Sequence, residues 1–293
     1  MQIPLSAELW DNRRCILGEG PVGYGRSQVV WVDILGKKVL SRDLETHQIG
    51  EFETQDHVSF VLPRAGGGQV LGIVDGPYLR DVDGALHRLP GRAEADGSDG
   101  VNPTRWNDAK VSPLGEVWLG SMTYDVLPNQ AGLYRLAKDG SQLKRILYGI
   151  TLGNGLGWSA DGSRFYYIDT PTRRVDVFDV VGSELTNRQT LVDVSDARGF
   201  PDGLAVDSDD GIWVAFWEGS AVRRYDGGTG VLTTEIAVPV PRVTSCAFAG
   251  AKLNQLVITT ALGEQGEDDV PESGMTFICE PGFVGLPTVL FAA

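Results

Sequence analysis

The sequence contains very few cysteines. Only three occur among its 293 residues, Cys15, Cys246 and Cys279, and no two of them have CxxC spacing. An odd number of widely spaced cysteines argues against a disulfide framework and against a thiolate zinc site. We therefore expect a reducing compartment. Residues 1–14 contain no apolar run of the kind found in signal sequences, and we expect a cytoplasmic protein.

Basic residues and long apolar runs are also scarce. Lys and Arg total 25 against 39 Asp and Glu, which gives a formal net charge of −14. Such a chain has no basic field to neutralise a nucleic-acid backbone or an anionic lipid surface. No run of about 18 apolar residues is present, and the apolar residues lack helical periodicity. These absences exclude nucleic acid and membranes as partners and argue against long helices.

Glycine, by contrast, is abundant. The chain has 38 glycines, which is roughly twice the average frequency of ~7%. They cluster with Asp and Asn between short apolar runs, as the turns of β-hairpins require. The composition therefore predicts an all-β fold.

One type of segment occurs six times along the chain. It consists of a polar residue, a strand, a turn containing glycine and a second, often aromatic, strand. The second strands are centred on Trp31, Leu71, Trp118, Tyr166, Trp213 and Val257, with spacings of 40, 47, 48, 47 and 44 residues. Repeats of this length with several strands each are typical of propeller blades. We predict a six-bladed β-propeller with a central metal-binding channel, a single domain over residues 1–293, and a monomer.

The ring must be closed by one end of the chain, because a closed propeller leaves no long exposed strand edge. Two segments are candidates for the closing strand. One is the N-terminal stretch Ile3–Leu9, and the other is the C-terminal PTVLF at residues 287–291. The sequence does not distinguish between them.

In each repeat, a polar residue lies eleven or twelve positions before the central residue of the second strand. At the start of the innermost strands, these residues would converge on the channel. Two carboxylates in a narrow, partly dry channel repel each other unless a cation or a proton lies between them. Oxygen donors favour Ca²⁺, Mg²⁺ or Mn²⁺, although Zn²⁺ and Fe²⁺ also accept them. The alternative is that these residues merely cap turns between blades. The six are Glu19, Ser59, Asn107, Asn154, Asp202 and Ser245.

Five blocks of sequence resemble the senescence-marker-protein/gluconolactonase family, whose members are also called regucalcins. The resemblance implies one divalent metal held by Glu19, Asn154 and Asp202. The Arg and Asn of the family's RxND block fall on Arg105 and Asn107, and a Glu that contacts the sugar in family members is replaced here by the shorter Asp125. The blocks are LGEGPVGY at 17–24, TRWNDAKVSPLGEVWLGSM at 104–122, LGNGLGWSADGSRFYYID at 152–169, FPDGLAVDSDDGIWVAFW at 200–217 and VTSCAFAG at 243–250.

The function that the resemblance implies is hydrolysis of a sugar lactone, such as gluconolactone, to the open aldonic acid. The metal would polarise the lactone carbonyl and acidify a water molecule. Arg105 and Asn107 would hold the substrate, and Asp202 would accept the proton of the water. Two other classes stay open: a calcium-binding regulatory propeller without turnover, and a lactonase or esterase for a non-sugar lactone.

Two further residues lie close to these positions in the sequence. Trp106, inside the RWND block, is expected to line the pocket. His57, two residues before Ser59, would approach the channel mouth, but the simpler interpretation is a loop or strand histidine with ordinary hydrogen bonds.

Overall fold

The computed structural model describes residues 5–92, 103–262 and 270–293, and these residues form six β-sheets. The first strands in chain order are β1 (Leu5–Ser6), β2 (Glu8–Asp11), β3 (Gly18–Tyr24), β4 (Gln28–Asp33), β5 (Lys38–Asp43), β6 (Ile49–Glu53), β7 (Val58–Pro63), β8 (Gln69–Ile73), β9 (Gly76–Arg80), β10 (Leu86–Arg88), β11 (Thr104–Val111), β12 (Val117–Thr123), β13 (Ala131–Leu136) and β14 (Leu143–Ile150). The remaining strands are β15 (Gly153–Trp158), β16 (Arg164–Asp169), β17 (Arg174–Val181), β18 (Glu184–Asp193), β19 (Phe200–Val206), β20 (Gly211–Trp217), β21 (Ala221–Asp226), β22 (Leu232–Ala237), β23 (Val243–Ala249), β24 (Gln255–Thr260) and β25 (Thr276–Cys279), and a 3₁₀ turn covers Thr170–Thr172.

The six sheets are the blades of a propeller. Blades 1 to 5 consist of β3–β6, β7–β10, β11–β14, β15–β18 and β19–β22, and blade 6 contains β23–β25 with β2. The first strand of each blade contacts the first strand of the next, and β23 of blade 6 contacts β3 of blade 1. The ring is thus closed, and the predicted six-bladed β-propeller is confirmed.

The N-terminal segment closes the ring. Strand β2 pairs antiparallel with β25, with Glu8 opposite Ile278, and so forms the outer strand of blade 6. Strand β1 extends the edge of blade 5 by pairing in parallel with β22. The C-terminal segment instead crosses the far ends of the inner strands, where the Phe291 N–H donates to the Pro63 carbonyl at 3.0 Å. PTVLF is therefore not a blade strand.

Each pair of neighbouring blades shares its own hydrophobic core. Among the residues that the structure describes, six buried clusters occur, one at each blade interface around the ring. Trp213 of blade 5, for example, contacts Phe248 of blade 6 edge to face, with ring centroids 5.8 Å apart. Edge-to-face pairs add about 0.5–1.5 kcal/mol beyond the area they bury. These cores fix the blades relative to one another and thereby position the inner strands.

Trp106 belongs to one of these cores. Its side chain is fully buried between blades 2 and 3, and its ring meets that of Tyr134 edge to face at 5.2 Å. The expectation that Trp106 lines the pocket is wrong. Burying this large apolar ring between two sheets is favourable, so the side chain points into the core although its neighbours in the sequence are polar.

The inner strands carry β-bulges close to the polar positions singled out above. The register of β3 against β4 shifts between Glu19 and Val22, and that of β11 against β12 shifts between Trp106 and Ala109. Similar shifts occur in the other four inner strands. A bulge adds an unpaired residue and re-aims its neighbours. The simple alternation of side chains therefore fails at the start of each inner strand.

The cysteines are buried with free thiols. Burial raises the pKa of both Cys15 and Cys246 to about 12, which makes these thiols poor nucleophiles. Across the described ranges, no helix has the length and apolar character needed to cross a membrane.

Candidate active site

Three carboxylates converge near one end of the channel. Glu19, Asp108 and Asp202 lie on β3, β11 and β19, and each is at most 7% exposed. Burial raises the pKa of Glu19 well above its usual value, and the charges of Asp202 and Asp108 raise it further. Burial and the charge of Asp108 also raise the pKa of Asp202. The three groups are therefore close enough to repel one another in a dry environment.

The amide of Asn154 is held beside Asp202 by hydrogen bonds from blade 4 to blade 5. Its Nδ2 donates to Thr170 Oγ1 at 3.1 Å, and Thr170 Oγ1 donates to the Pro201 carbonyl at 2.9 Å. Within the described residues, Asn154 Oδ1 and Asp202 Oδ1 are buried and accept no hydrogen bond. A buried polar atom without a partner costs about 1–3 kcal/mol. Two such oxygens, one of them on a carboxylate whose charge acts on Glu19, are suited to a bound cation.

The donor set combines carboxylates with an amide. In the part of the chain that the structure describes, no group of three or more His, Cys, Asp or Glu side chains is placed to hold a metal ion. The predicted ligands include only two carboxylates, and the third donor is Asn154. The geometric observation that favours a cation is thus the pair of unbonded oxygens.

Two glycines allow neighbouring inner strands to approach each other closely near Asn154 and Asp202. A Cβ on Gly155 would lie 2.6 Å from the Asp202 carbonyl oxygen, and one on Gly203 would lie 2.1 Å from Ser245 Oγ. No side chain fits at either distance. The Asn154–Gly155 and Asp202–Gly203 pairs therefore bring blades 4, 5 and 6 together where the polar side chains meet.

Arg105 faces the carboxylates from blade 3. Its Nη1 donates to the Asn107 Oδ1 at 2.7 Å and to the Trp106 carbonyl at 2.9 Å. Burial lowers the pKa of Arg105, while Tyr124, Glu19 and Asp202 act in the opposite direction. A buried guanidinium beside buried carboxylates is well placed to bind an oxygen-rich ligand.

Asn107 holds that guanidinium in place. Its Oδ1 accepts from Arg105, and its Nδ2 donates to the Gly153 carbonyl at 3.0 Å. Both ends of the amide are therefore used within the protein, across blades 3 and 4. The structure brings Asn107 into the predicted cluster, and its direct contact with substrate stays a prediction.

The sequence reasoning missed Asp108 and Lys110. Burial raises the pKa of Asp108 to about 6, against the lowering effect of Lys110 and of the Ala109 N–H. Lys110 Nζ donates to the Leu204 carbonyl at 2.8 Å and so links blade 3 to blade 5. Strand alternation puts Asn107 and Asp108 on opposite faces, but the bulge in β11 breaks that alternation. The available signal was two further charged residues, besides Arg105, in a strand that is mostly buried.

The remaining predicted positions lie at the edge of this cluster. Ser59 Oγ donates to the Trp106 carbonyl at 2.5 Å, and Ser245 packs against Gly203. Asp125 is exposed on the turn after β12, and no hydrogen bond joins it to Arg105 or Asn107 within the described residues. Its contact with substrate stays a prediction.

A separate cavity opens at the opposite end of the channel. It has a volume of about 250 Å³, and its walls include Leu62, Phe248 and Leu286, with Lys110 as the charged group. Leu62 and Phe248 lie towards the far ends of their inner strands, and Leu286 lies in the C-terminal segment. Lys110 also interacts electrostatically with Asp108. The polar cluster, and not this mainly apolar cavity, is therefore the candidate site of chemistry.

The fold and the site together define a six-bladed β-propeller with oxygen donors gathered at one end of its channel. The family model described as SMP-30/Gluconolactonase/LRE-like region matches residues 17–262, and the chain belongs to this family. Regucalcin of Danio rerio is 36% identical over 92% of this chain and 93% of its own length. The Bacillus subtilis protein YvrE, provisionally named a sugar lactone lactonase, is 31% identical over 98% of this chain and 99% of its own.

Solved structures show the same architecture. A luciferin-regenerating enzyme superposes with a TM-score of 0.88 at 26% identity, covering 98% of this chain and 100% of its own. A regucalcin from Agrobacterium tumefaciens superposes with a TM-score of 0.89 at 24% identity, with 99% of both chains covered. At this level of identity, the second match establishes the fold alone.

Proposed function

We propose that this protein hydrolyses a sugar lactone, such as gluconolactone, to the open-chain aldonic acid, with one divalent metal ion held by Glu19, Asn154 and Asp202. The observation that carries the proposal is the pair of buried, unbonded oxygens, Asn154 Oδ1 and Asp202 Oδ1. The Asp202 carboxylate also interacts electrostatically with Glu19 and Arg105. Membership of the gluconolactonase-like family and the name of the relative YvrE support it.

The residues present fit a hard divalent cation. Glu19 and Asp202 supply two negative charges, and Asn154 supplies a neutral oxygen. Burial first, and then nearby negative charge, raises the pKa of both carboxyls, and a bound cation would favour their ionised forms. Oxygen-only donors suit Ca²⁺, Mg²⁺ or Mn²⁺ best, and Zn²⁺ and Fe²⁺ also accept them.

The chemistry divides between the ion and the side chains. When bound, the ion polarises the lactone carbonyl and makes a water molecule more acidic. Arg105, oriented by Asn107, binds lactone oxygens and holds the ester carbon near that water. Asp202 accepts a proton of the water as the water oxygen bonds to the carbonyl carbon. The ring C–O bond then breaks, and the same proton passes from Asp202 to the ring oxygen, which becomes a hydroxyl group of the product. Asp125 contributes a contact from the exposed turn.

The presence of Arg105 favours an enzyme over an ion-binding regulator. A site that only stores a cation gains nothing from a buried guanidinium beside its ligands, because the two positive charges repel. A small neutral substrate with several oxygens, however, uses both. One closed propeller contains all of these residues, and we propose that the single domain acts as a monomer.

The test is proton release from a panel of aldonolactones by metal-stripped and reconstituted protein. We expect acid release only after a divalent ion is restored, and loss of both metal content and turnover in Asn154→Leu. Asp209→Asn, on an exposed turn of blade 5, is the control and should behave as wild type. Metal binding without turnover of any lactone would favour the regulatory propeller. Turnover confined to unhydroxylated esters would favour the esterase, and full activity of stripped protein would exclude the metal.

A further inference from the structure

A histidine and a tyrosine from two different blades meet at the mouth of the channel. His57 directly precedes β7 of blade 2, and Tyr124 directly follows β12 of blade 3. His57 Nδ1 and the Tyr124 hydroxyl oxygen share a hydrogen bond of 2.8 Å. The two rings also contact each other, with centroids 5.7 Å apart and planes at 49°. The pair therefore forms a bridge between two loops, which we call the rim pair.

The rim pair lies beside Arg105. The Tyr124 N–H donates to the Pro103 carbonyl at 3.1 Å, next to the strand in which Arg105 pairs with Met122. The charge of Arg105 reaches both rings, since it lowers the pKa of His57 and opposes the rise that burial causes in the pKa of Tyr124. A ligand held by Arg105 would thus meet the rim pair on its outer side.

Both members of the pair are neutral near pH 7. Burial lowers the pKa of His57 from its usual value, and burial raises the pKa of Tyr124. Neutral imidazole and phenol groups donate and accept hydrogen bonds without carrying charge. In the described part of the chain, no group is hydrogen-bonded to His57 Nε2, and Tyr124 remains 36% exposed. The rim pair therefore offers free hydrogen-bonding capacity and two aromatic faces towards the solvent side of the site.

We infer that the rim pair, His57 and Tyr124, binds the hydroxyl groups of the lactone substrate and so determines the preference for polyhydroxylated over plain aliphatic lactones. This inference rests on the proposed lactonase function. The ester group is common to both kinds of lactone and would lie at the carboxylates and Arg105. Only the hydroxylated kind has groups that a neutral polar rim can bind, and sites that hydrogen-bond a hydroxyl discriminate against ligands that lack it.

The test compares two six-membered lactones, glucono-1,5-lactone and δ-valerolactone, with wild type, Tyr124→Phe and His57→Asn. The readout is the ratio of kcat/KM for the hydroxylated lactone to that for the plain one. Loss of one neutral hydrogen bond should lower this ratio by roughly 3- to 10-fold. Because the ratio compares two substrates on the same variant, a general loss of folded or active protein does not change it.

Two residues of the same types serve as matched controls. His87 pairs with Asp81 on the outer strand of blade 2, and Tyr148 is 67% exposed on the outer strand of blade 3. His87→Asn and Tyr148→Phe should leave the ratio at its wild-type value. If Tyr124→Phe and His57→Asn lower kcat/KM equally for both lactones, or leave both unchanged, the inference is wrong although the lactonase stands. If wild type hydrolyses neither lactone, the proposed function fails, and the inference fails with it.

Discussion

Replacing Asp202 by Asn should make the metal-free protein more stable while abolishing its response to metal. Without a cation, Glu19, Asp108 and Asp202 are buried together, and the pKa of each is raised. Asn keeps the size of the side chain and an oxygen that can accept from the Gly203 N–H, as Asp202 does. The substitution removes one of three repelling charges, and the metal-free fold gains what that repulsion had cost.

The size of the effect follows from the burial. Replacing a buried ion pair by well-packed apolar groups of similar volume can stabilise a protein by about 1–4 kcal/mol, and we expect a gain of this order here, where the buried charges are alike. At roughly 2 °C per kcal/mol for a chain of this size, Tm should rise by about 2–8 °C. In wild type, an ion at 100 times its Kd should add about 2.7 kcal/mol, or roughly 5 °C. In Asp202→Asn this second increment should be absent.

The assay is thermal unfolding followed by tryptophan fluorescence, with a chelator and then with Ca²⁺, Mg²⁺ or Mn²⁺. Asp209→Asn is the control, because it makes the same chemical change at an exposed position of the same blade. It should match wild type with and without metal.

Either of two results would refute the reasoning. If Asp202→Asn lowers Tm in chelator, the carboxylate stabilises the empty site and is not held there against repulsion. If the variant keeps the full metal-dependent rise in Tm, Asp202 is not a ligand.

Three further predictions concern Arg105, Gly203 and Asp108. Arg105→Ala should lower kcat/KM about 10- to 100-fold, because charged hydrogen bonds contribute about 1.5–3 kcal/mol; calorimetry should show metal affinity retained, and its loss would make Arg105 a structural residue. Gly203→Ala should lower the free energy of unfolding by about 1–3 kcal/mol, since the added Cβ would lie 2.1 Å from Ser245 Oγ. Adding Ser245→Gly in the same chain should restore part of the lost Tm. An unchanged Tm in the single variant would contradict the close approach of the two strands. The pKa of Asp108 is about 6 in the folded protein, against about 3.9 in the unfolded chain. Between these values the folded state binds more protons, so the stability of the metal-free protein should fall as pH rises from 4 to 6. Asp108→Asn should flatten this part of the pH profile of stability, and an unchanged slope would mean that other groups cause the pH dependence.

The repeat, and the polar residue that occupies an equivalent position in each copy of it, were predictable from the sequence. Strands of period two with glycine turns, recurring every 40 to 48 residues, leave few arrangements that bury both faces of each sheet. Trp31, Trp118 and Trp213 share one repeat position and are fully buried in the middle strands. Glu19, Asn154 and Asp202 share another, and all three lie on inner strands. Local pattern sufficed because each repeat folds in the same way.

The closing strand and the residues beside the site were not predictable in this way. Pairing of β2 with β25 joins segments from opposite ends of the chain, and no local propensity encodes such a contact. Asp108 enters the channel because a bulge interrupts strand alternation. The opposite error occurred at Trp106, which lies in a polar block of sequence but packs between two blades.

The rim pair depends most strongly on tertiary structure. His57 and Tyr124 are 67 residues apart and belong to different blades, and the sequence favoured an ordinary loop histidine at position 57. The amino-acid sequence by itself determined the number of blades, the buried tryptophans and the polar residue near the start of each inner strand, because periodicity and turn chemistry act within each repeat. Only the closed ring decided which of those polar groups face one another, which oxygens are left without a partner and which loops meet over Arg105, because contacts between blades join residues that no local pattern relates.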